Sequence, residues 1–334
     1  MAYGGAYGLD LSSGGGIPAD LDALFDQTKS LAATPRTITE LPGGLTNRNY
    51  KVTTPAGTFV ARISAGGSEL LAIDRDCEYR NSVIAAAAGA GAPVVEYRPQ
   101  DRLLVIGYLE GRTFGAADVA GHENIPRIAD ACRRLHQGAR FGNDFDMFDI
   151  QRRYLSVARS RGFTIPAGYE DLEPQCRAAE KALAVRAEGP VSEGPAFEGP
   201  AFEGTVPCHN DLLPANLIDD GDRIWLIDYE LSGNNDACFE LGNIAAEAHL
   251  SPEALAELVT AYYQRPRRSK IARAWLLGGL VGMYGWALWG AIQHGASPID
   301  YDFWSWAMER FEGAARGFTA DDFTDLLEAV QLAD

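Results

Sequence analysis

Basic residues are scarce in this chain. Lysine and arginine number 29 against 46 aspartates and glutamates in 334 residues, a formal charge of −17. That balance argues against nucleic acid as a partner, because neutralising phosphates needs a basic surface. It suits a small cationic ligand, although solubility favours an acidic surface equally well. Cysteine is also sparse. Cys77, Cys132, Cys176, Cys208 and Cys238 are scattered, odd in number and lack any C-x-x-C pair. The pattern speaks for reduced thiols and against a disulfide frame or a zinc site. The first residues carry no basic stretch leading into an apolar core, so a cytoplasmic location is expected.

Long apolar runs are missing with one exception. Ala274 to Ile292 spans nineteen residues without a charge, preceded by the basic Arg265-Pro-Arg-Arg-Ser-Lys270. Length and flank fit a membrane span. Five glycines and three tryptophans dilute the stretch, with aromatics in its middle, which favours a buried core helix and no membrane partner.

With 46% apolar residues there is ample material for a core, and the length allows two lobes around a cleft. Residues 1–16 are rich in Gly, Ser and Tyr, and a short amphipathic helix is expected from Ile17 to Leu31. Strand signals follow at Thr37–Leu41, Asn49–Thr53 and Thr58–Ile63, with turns at Gly43-Gly44 and Pro55-Ala-Gly57. An Ala-rich helix from Asp74 to Ala88 leads to strands at Val94–Tyr97 and Arg102–Ile106. Beyond Gly111 the chain reads as mainly helical, with helices at 124–137, 151–161, 170–186, 251–263, 271–293, 302–313 and 320–332. His136, in the last turn of the first of these, is expected to be structural. A run with the repeat Glu-Gly-Pro-Ala-Phe, residues 188–204, reads as an exposed insertion, since proline at every fifth position forbids a helix.

The chemistry concentrates between Val206 and Glu230. Asp211 precedes a turn, Asn216 lies five residues on, and Asp228 sits in the apolar run Trp225-Leu-Ile-Asp-Tyr-Glu230, read as a strand. An acid able to hold a substrate hydroxyl, followed by an amide and a second acid offering hard oxygen ligands, suits magnesium–nucleotide chemistry. No G-x-G-x-x-G loop is present, so Gly43 and Gly44, with Asn47 and Asn49, are the candidates for close approach to phosphates.

Taken in order, these pieces resemble the choline/ethanolamine kinase branch of the aminoglycoside-phosphotransferase-like kinases. The resemblance rests on Gly43-Gly-Leu-Thr-Asn-Arg-Asn-Tyr50, Phe59-Val-Ala-Arg-Ile63, Ile73-Asp-Arg-Asp-Cys-Glu78, His209-Asn-Asp211 with Asn216, Ile227-Asp-Tyr-Glu230 and Trp286-x-x-Trp289. It implies an α+β, two-lobed protein-kinase-like fold, with a small antiparallel-sheet N-lobe and a mainly helical C-lobe. Residues 1–34 would form a flexible N-terminus and leading helix, 35–110 the nucleotide lobe and 111–334 the catalytic and acceptor lobe. ATP and Mg²⁺ are the implied cofactors. Asp211 is then the expected base, and Asn216 and Asp228 the metal ligands. Gly44, Asn47, Asn49, Arg62, Glu78 and a hinge at Gly107–Leu109 are expected around the nucleotide. Arginine at position 62 takes the place of a kinase's lysine, with Glu78 as its partner. Glu230, Glu247, Trp286 and Trp289 are expected at the acceptor, a small cationic alcohol such as choline or ethanolamine. His209 is expected to brace the loop. Two positions depart from the family pattern: Leu231 replaces a pocket tyrosine and Glu240 an aspartate. An amino-sugar kinase of the same fold and a catalytically silent kinase-like binding module are the competing readings. Oligomeric state leaves no trace in the sequence.

Overall fold

The computed structural model describes residues 21–64, 68–184 and 204–334. Residues 1–16, the first turn of the leading helix and the insertion at 188–203 lie outside the described residues.

The N-terminal lobe is a five-stranded antiparallel sheet. Its strands are β1 (Thr37–Leu41), β2 (Asn47–Thr54), β3 (Gly57–Ser64), β4 (Val94–Arg98) and β5 (Leu103–Gly107), in the order β1-β2-β3-β5-β4. Alternation along β3 sends Ala61 and Ile63 into a core with Tyr50, Val52, Leu103 and Val105. Helix α1 (Leu21–Asp26) closes this core with Leu24 and Phe25. The same alternation turns Arg62 to the opposite face, toward the second lobe, where it is buried. Helix α2 (Arg75–Ala87) is capped by Asp74, whose carboxylate accepts from the amides of Asp76 and Cys77.

The second lobe is mainly helical: α3 (Ala116–Val119), α4 (Ile125–His136), α5 (Met147–Arg161), α6 (Glu173–Ala184), α7 (Ala237–Glu247), α8 (Pro252–Tyr263), α9 (Arg268–Ala274), α10 (Gly282–Ala296), α11 (Phe303–Phe318) and α12 (Phe323–Ala329). It also holds two small sheets that the sequence reading had not resolved. Strands β6 (Arg112–Thr113), β8 (Leu217–Asp219) and β9 (Ile224–Leu226) form one; β7 (Val206–Cys208) and β10 (Gly233–Asn235) form the other. They corner the chain on either side of the Asp211 loop. Helix α5 starts four residues earlier than expected, because Asp146 accepts from the amides of Phe148 and Asp149.

The apolar stretch is a core helix. From Arg268 to Ala296 the helix is continuous, and 89% of its most apolar span is buried inside the protein. It passes through a π-helical segment, Trp275–Val281, between α9 and α10. At its crossing with α7 the two backbones touch. A Cβ on Gly278 would sit 2.2 Å from the Phe239 carbonyl oxygen, and one on Gly242 would sit 1.9 Å from that of Ala274. Backbone meets backbone here, and neither side has a flexible atom to yield. Gly278→Ala is therefore expected to destabilise the fold by about 3 kcal/mol, the upper end for overpacking. A urea midpoint lowered at unchanged m-value would report it.

Candidate active site

The loop after β7 is held from behind by one buried carboxylate. Glu240, in the first turn of α7, accepts from the backbone amides of His209 (2.9 Å) and Asn210 (2.7 Å) through its two oxygens. Burial works against its charge. His136, His209 and the backbone donors outweigh that, so its carboxyl lies below the usual range. His136 stands behind it, 3.3 Å from a Glu240 oxygen and 2.7 Å from the Tyr262 hydroxyl. Cys208 joins them in a sealed cluster whose donor atoms lie within 4.8 Å of one another. The Glu240 oxygens are already engaged with N–H donors, so the cluster braces the loop.

Asn210 takes a left-handed conformation (φ +68°), anchored by side-chain bonds to the Leu231 and Gly233 carbonyls and by Asn235. His209 Nε2 donates to the Ile227 carbonyl at 2.7 Å, and its Nδ1 accepts from the Asp211 amide. Burial lowers its proton affinity, so it is a neutral brace, in line with the expectation for His209.

Asp211 emerges half-buried from this frame. Its carboxyl is pushed well above the ordinary range by burial first, then by the charges of Asp228, Glu247 and Glu230, with Arg310 pulling the other way. Asn216 ends the 3₁₀ turn Pro214–Asn216, and its amide nitrogen donates to the Asp211 carbonyl at 2.8 Å. That fixes the amide and presents its oxygen away from the loop. Asp228 corrects the sequence reading. It lies two residues past β9, not on a strand, and holds φ at +77°. A left-handed aspartate is strained, and such strain collects at functional sites.

Across the cleft, Arg62 meets three carboxylates at once. It hydrogen-bonds Asp228, approaches Glu230 at 3.2 Å and stands 3.3 Å from Glu78. Burial opposes its charge, yet these three carboxylates hold its pKa above the ordinary value. The Arg62–Glu78 pairing implied by the resemblance is thus present. Arg75 was missed. It bonds Glu78 (2.7 Å) and Glu230 (3.0 Å), closing a ring of two cations and two anions beneath Asp228. Its position three residues before Glu78 on one helix was the available signal.

Glu230 and Asn47 sit elsewhere than expected. Glu230 accepts from the Thr46 hydroxyl at both oxygens and from Asn47, Arg62 and Arg75 at Oε2, a buried role between the lobes. Asn47 is buried against it, not turned toward phosphates. Together they tie the Gly-Gly turn to the second lobe. Gly43 and Gly44 both have φ near +95°, and a Cβ on Gly44 would lie 2.7 Å from the Asn47 carbonyl, so glycine is required there. Asn49 on β2 keeps its side-chain amide beside Gly44. Gly107 ends β5 with its amide on the Pro93 carbonyl, and half-buried Leu109 follows outside the sheet.

An aromatic group lies where α10 meets α11. Trp289 packs against Phe303 (5.9 Å) and Trp306 (5.1 Å), and its buried Nε1 has no partner. Trp286 is buried and donates to Asn243 at 3.1 Å. Glu247 is not free: it is ion-paired with Arg310, whose guanidinium lies 3.4 Å over the Trp306 ring. Leu231 is buried in the core that contains Trp286 and Trp289.

The donor set fits a hard divalent cation. Asp228 and Asn216 offer oxygens only, and the Asn216 amide is already oriented. A two-lobed kinase-like fold with two acids, an amide and a carboxylate-held arginine across its cleft defines a phosphotransferase. The match to known proteins agrees. Residues 37–274 match the phosphotransferase enzyme family, and the chain belongs to it. Protein LicA of Haemophilus influenzae is 26% identical over 287 residues, covering 81% of this chain and 77% of that protein. Ethanolamine kinase 2 of Mus musculus is 27% identical, covering 75% and 68%. The crystal structure of a choline/ethanolamine kinase family protein from Mesorhizobium loti superposes with a TM-score of 0.77 at 28% identity, covering 93% of this chain and 98% of that one.

Proposed function

We propose that the enzyme uses ATP to phosphorylate the hydroxyl of choline or a related amino alcohol such as ethanolamine. One observation carries this reading. The half-buried Asp211 lies within the field of both Asp228, a metal-type acid held by Arg62, and Glu247, whose partner Arg310 stacks on the Trp306 indole. Residues 35–110 form the nucleotide lobe and 111–334 the catalytic and acceptor lobe.

Asp211 orients the acceptor hydroxyl and takes its proton as the oxygen bonds the γ-phosphorus, while the bond to the β–γ bridging oxygen breaks and ADP leaves. Asn216 and Asp228 would hold Mg²⁺, which would offset the charge of the nucleotide phosphates. Arg62, steadied by Glu78, would face those phosphates. Gly44 and Asn49 border them, and backbone groups from Gly107 to Leu109 read the adenine edge. Asn47 and Glu230 are reassigned to tying the lobes together. Trp289 and Trp306 give the ammonium head its aromatic faces, Trp286 backs them, and Glu247 supplies the counter-charge.

ADP release measured against ethanolamine, its N-methylated series through choline, and several amino sugars tests the reading. Mg-dependent turnover of an amino alcohol is expected. Turnover confined to amino sugars, or nucleotide binding without turnover of any acceptor, would overturn it.

A further inference from the structure

The Arg310–Glu247–Trp306 group is an unusual way to build an ammonium pocket. Glu247 ends α7 and Arg310 lies in α11, so the two meet only through the tertiary fold. Their side chains are 7% and 12% exposed, and one Glu247 oxygen, Oε2, is taken by Arg310. Arg310 lies four residues after Trp306 on one helix, and its Nη1 reaches back toward the Trp306 carbonyl at 3.5 Å. The guanidinium is therefore fixed in two directions, flat on the indole and end-on to the carboxylate. Its Nε is buried without an acceptor. A cation placed so is itself a cation–π and ion-pair ligand of the chain.

We infer that Arg310 is a positioning residue that pre-forms the acceptor pocket, clamping the Glu247 carboxylate and the Trp306 ring in the places an ammonium head needs. The inference rests on the amino-alcohol reading above. It follows from two facts of packing. A lone buried carboxylate would be expensive to keep charged, and Arg310 supplies its partner. An indole free to change rotamer gives a cation no fixed face, and the stacked guanidinium locks it. Arg310 engages only Oε2 of Glu247, which leaves Oε1 for the acceptor. The field of both Glu247 and Arg310 reaches Asp211.

Steady-state kinetics with ethanolamine and choline, for wild type, Arg310→Met and Arg310→Lys, decide the matter. Arg310→Met keeps the unbranched stem of the side chain and loses both the charge and the planar stack. Its acceptor KM is expected to rise by about 10- to 100-fold, while the ATP KM stays within about twofold. Arg310→Lys retains the ion pair without the planar fork and should recover part of the loss. A residue with only a structural role would shift both KM values and Tm together in each variant. If acceptor KM stays within about twofold of wild type in Arg310→Met, or rises equally in the lysine variant, the clamp is refuted. If Arg310→Met fails to bind nucleotide and so has not folded, the lysine variant decides alone: a raised acceptor KM at unchanged ATP KM supports the clamp, and an unchanged acceptor KM refutes it. Absence of turnover by the wild-type enzyme with every amino alcohol would sink the function reading itself, a result distinct from an indifferent Arg310.

Discussion

Asp211→Asn is expected to cut turnover by three orders of magnitude or more and at the same time to raise the melting temperature. The loss of rate follows from the proposed role, since a positioned general base contributes about 10²- to 10⁴-fold and the amide also loses the charge that orients the hydroxyl. The gain in stability follows from the carboxyl itself. Burial, with Asp228, Glu247 and Glu230 nearby, raises its proton affinity in the folded chain. A raised pKa means that the fold binds this proton more tightly than the unfolded chain does. Its contribution to stability is complete below the ordinary carboxylate pKa of about 4 and is lost as pH rises through the folded value. At neutral pH the unfolded chain ionises this carboxyl freely while the fold resists it, a burden that asparagine removes. Tm of the variant should exceed that of wild type by about 2–4 °C at pH 7–8, the shift that ~1 kcal/mol produces in a large domain. The gap should close as pH falls toward 4. Thermal melts across that range measure it, and a variant less stable than wild type at neutral pH would contradict the electrostatic account. The same raised affinity predicts an acid limb of kcat/KM above the usual carboxylate range, with activity rising toward alkaline pH.

How much of this could be read in advance differed between the two lobes. The sheet was legible because its turns are chemically explicit: Gly43-Gly44 and Pro55-Ala-Gly57 bracket β2, and β1 was read with its observed ends. The small strands around the Asp211 loop were not legible, because two or three residues are too few for a period-2 pattern to show. Asp228 was assigned to a strand for the same reason. Its apolar neighbours Leu226 and Ile227 carry the strand signal, and a left-handed aspartate leaves no mark in the sequence. The acids and amides at the centre were found by spacing along the chain. Their cationic partners were missed where the pairing is long-range. Arg310 meets Glu247 across 63 positions and Arg75 meets Glu230 across 155. Glu230 and Glu247 therefore looked like free carboxylates, and the fold shows both to be engaged.

Glu240 is the residue whose loss should be felt most widely. It was singled out only as a departure from the family's aspartate, and the structure gives it a definite task. Its side chain is fully buried and its two oxygens hold the amides of His209 and Asn210, the residues that lead into Asp211. Glu240→Ala leaves two buried N–H groups and His136 without their acceptor. Removing one partner of a buried charged network is expected to cost about 3–5 kcal/mol. Glu240→Gln is the sharper test, since it keeps the volume. Its amide has one oxygen for two N–H donors, and its NH₂ must face one of them. Turnover of this variant should fall about 100-fold, because the loop carrying Asp211 loses half its anchor. The pH dependence runs opposite to that of Asp211. Glu240 has a lowered pKa in the fold despite burial, so its stabilisation is present above the ordinary glutamate value and fades as pH falls through the folded one. The stability gap between wild type and Glu240→Gln should accordingly be widest at neutral pH and shrink in acid, as measured by urea unfolding at a series of pH values. A gap that stays constant with pH would mean that packing, and not the anchoring of His209 and Asn210 by a charge, is what Glu240 provides.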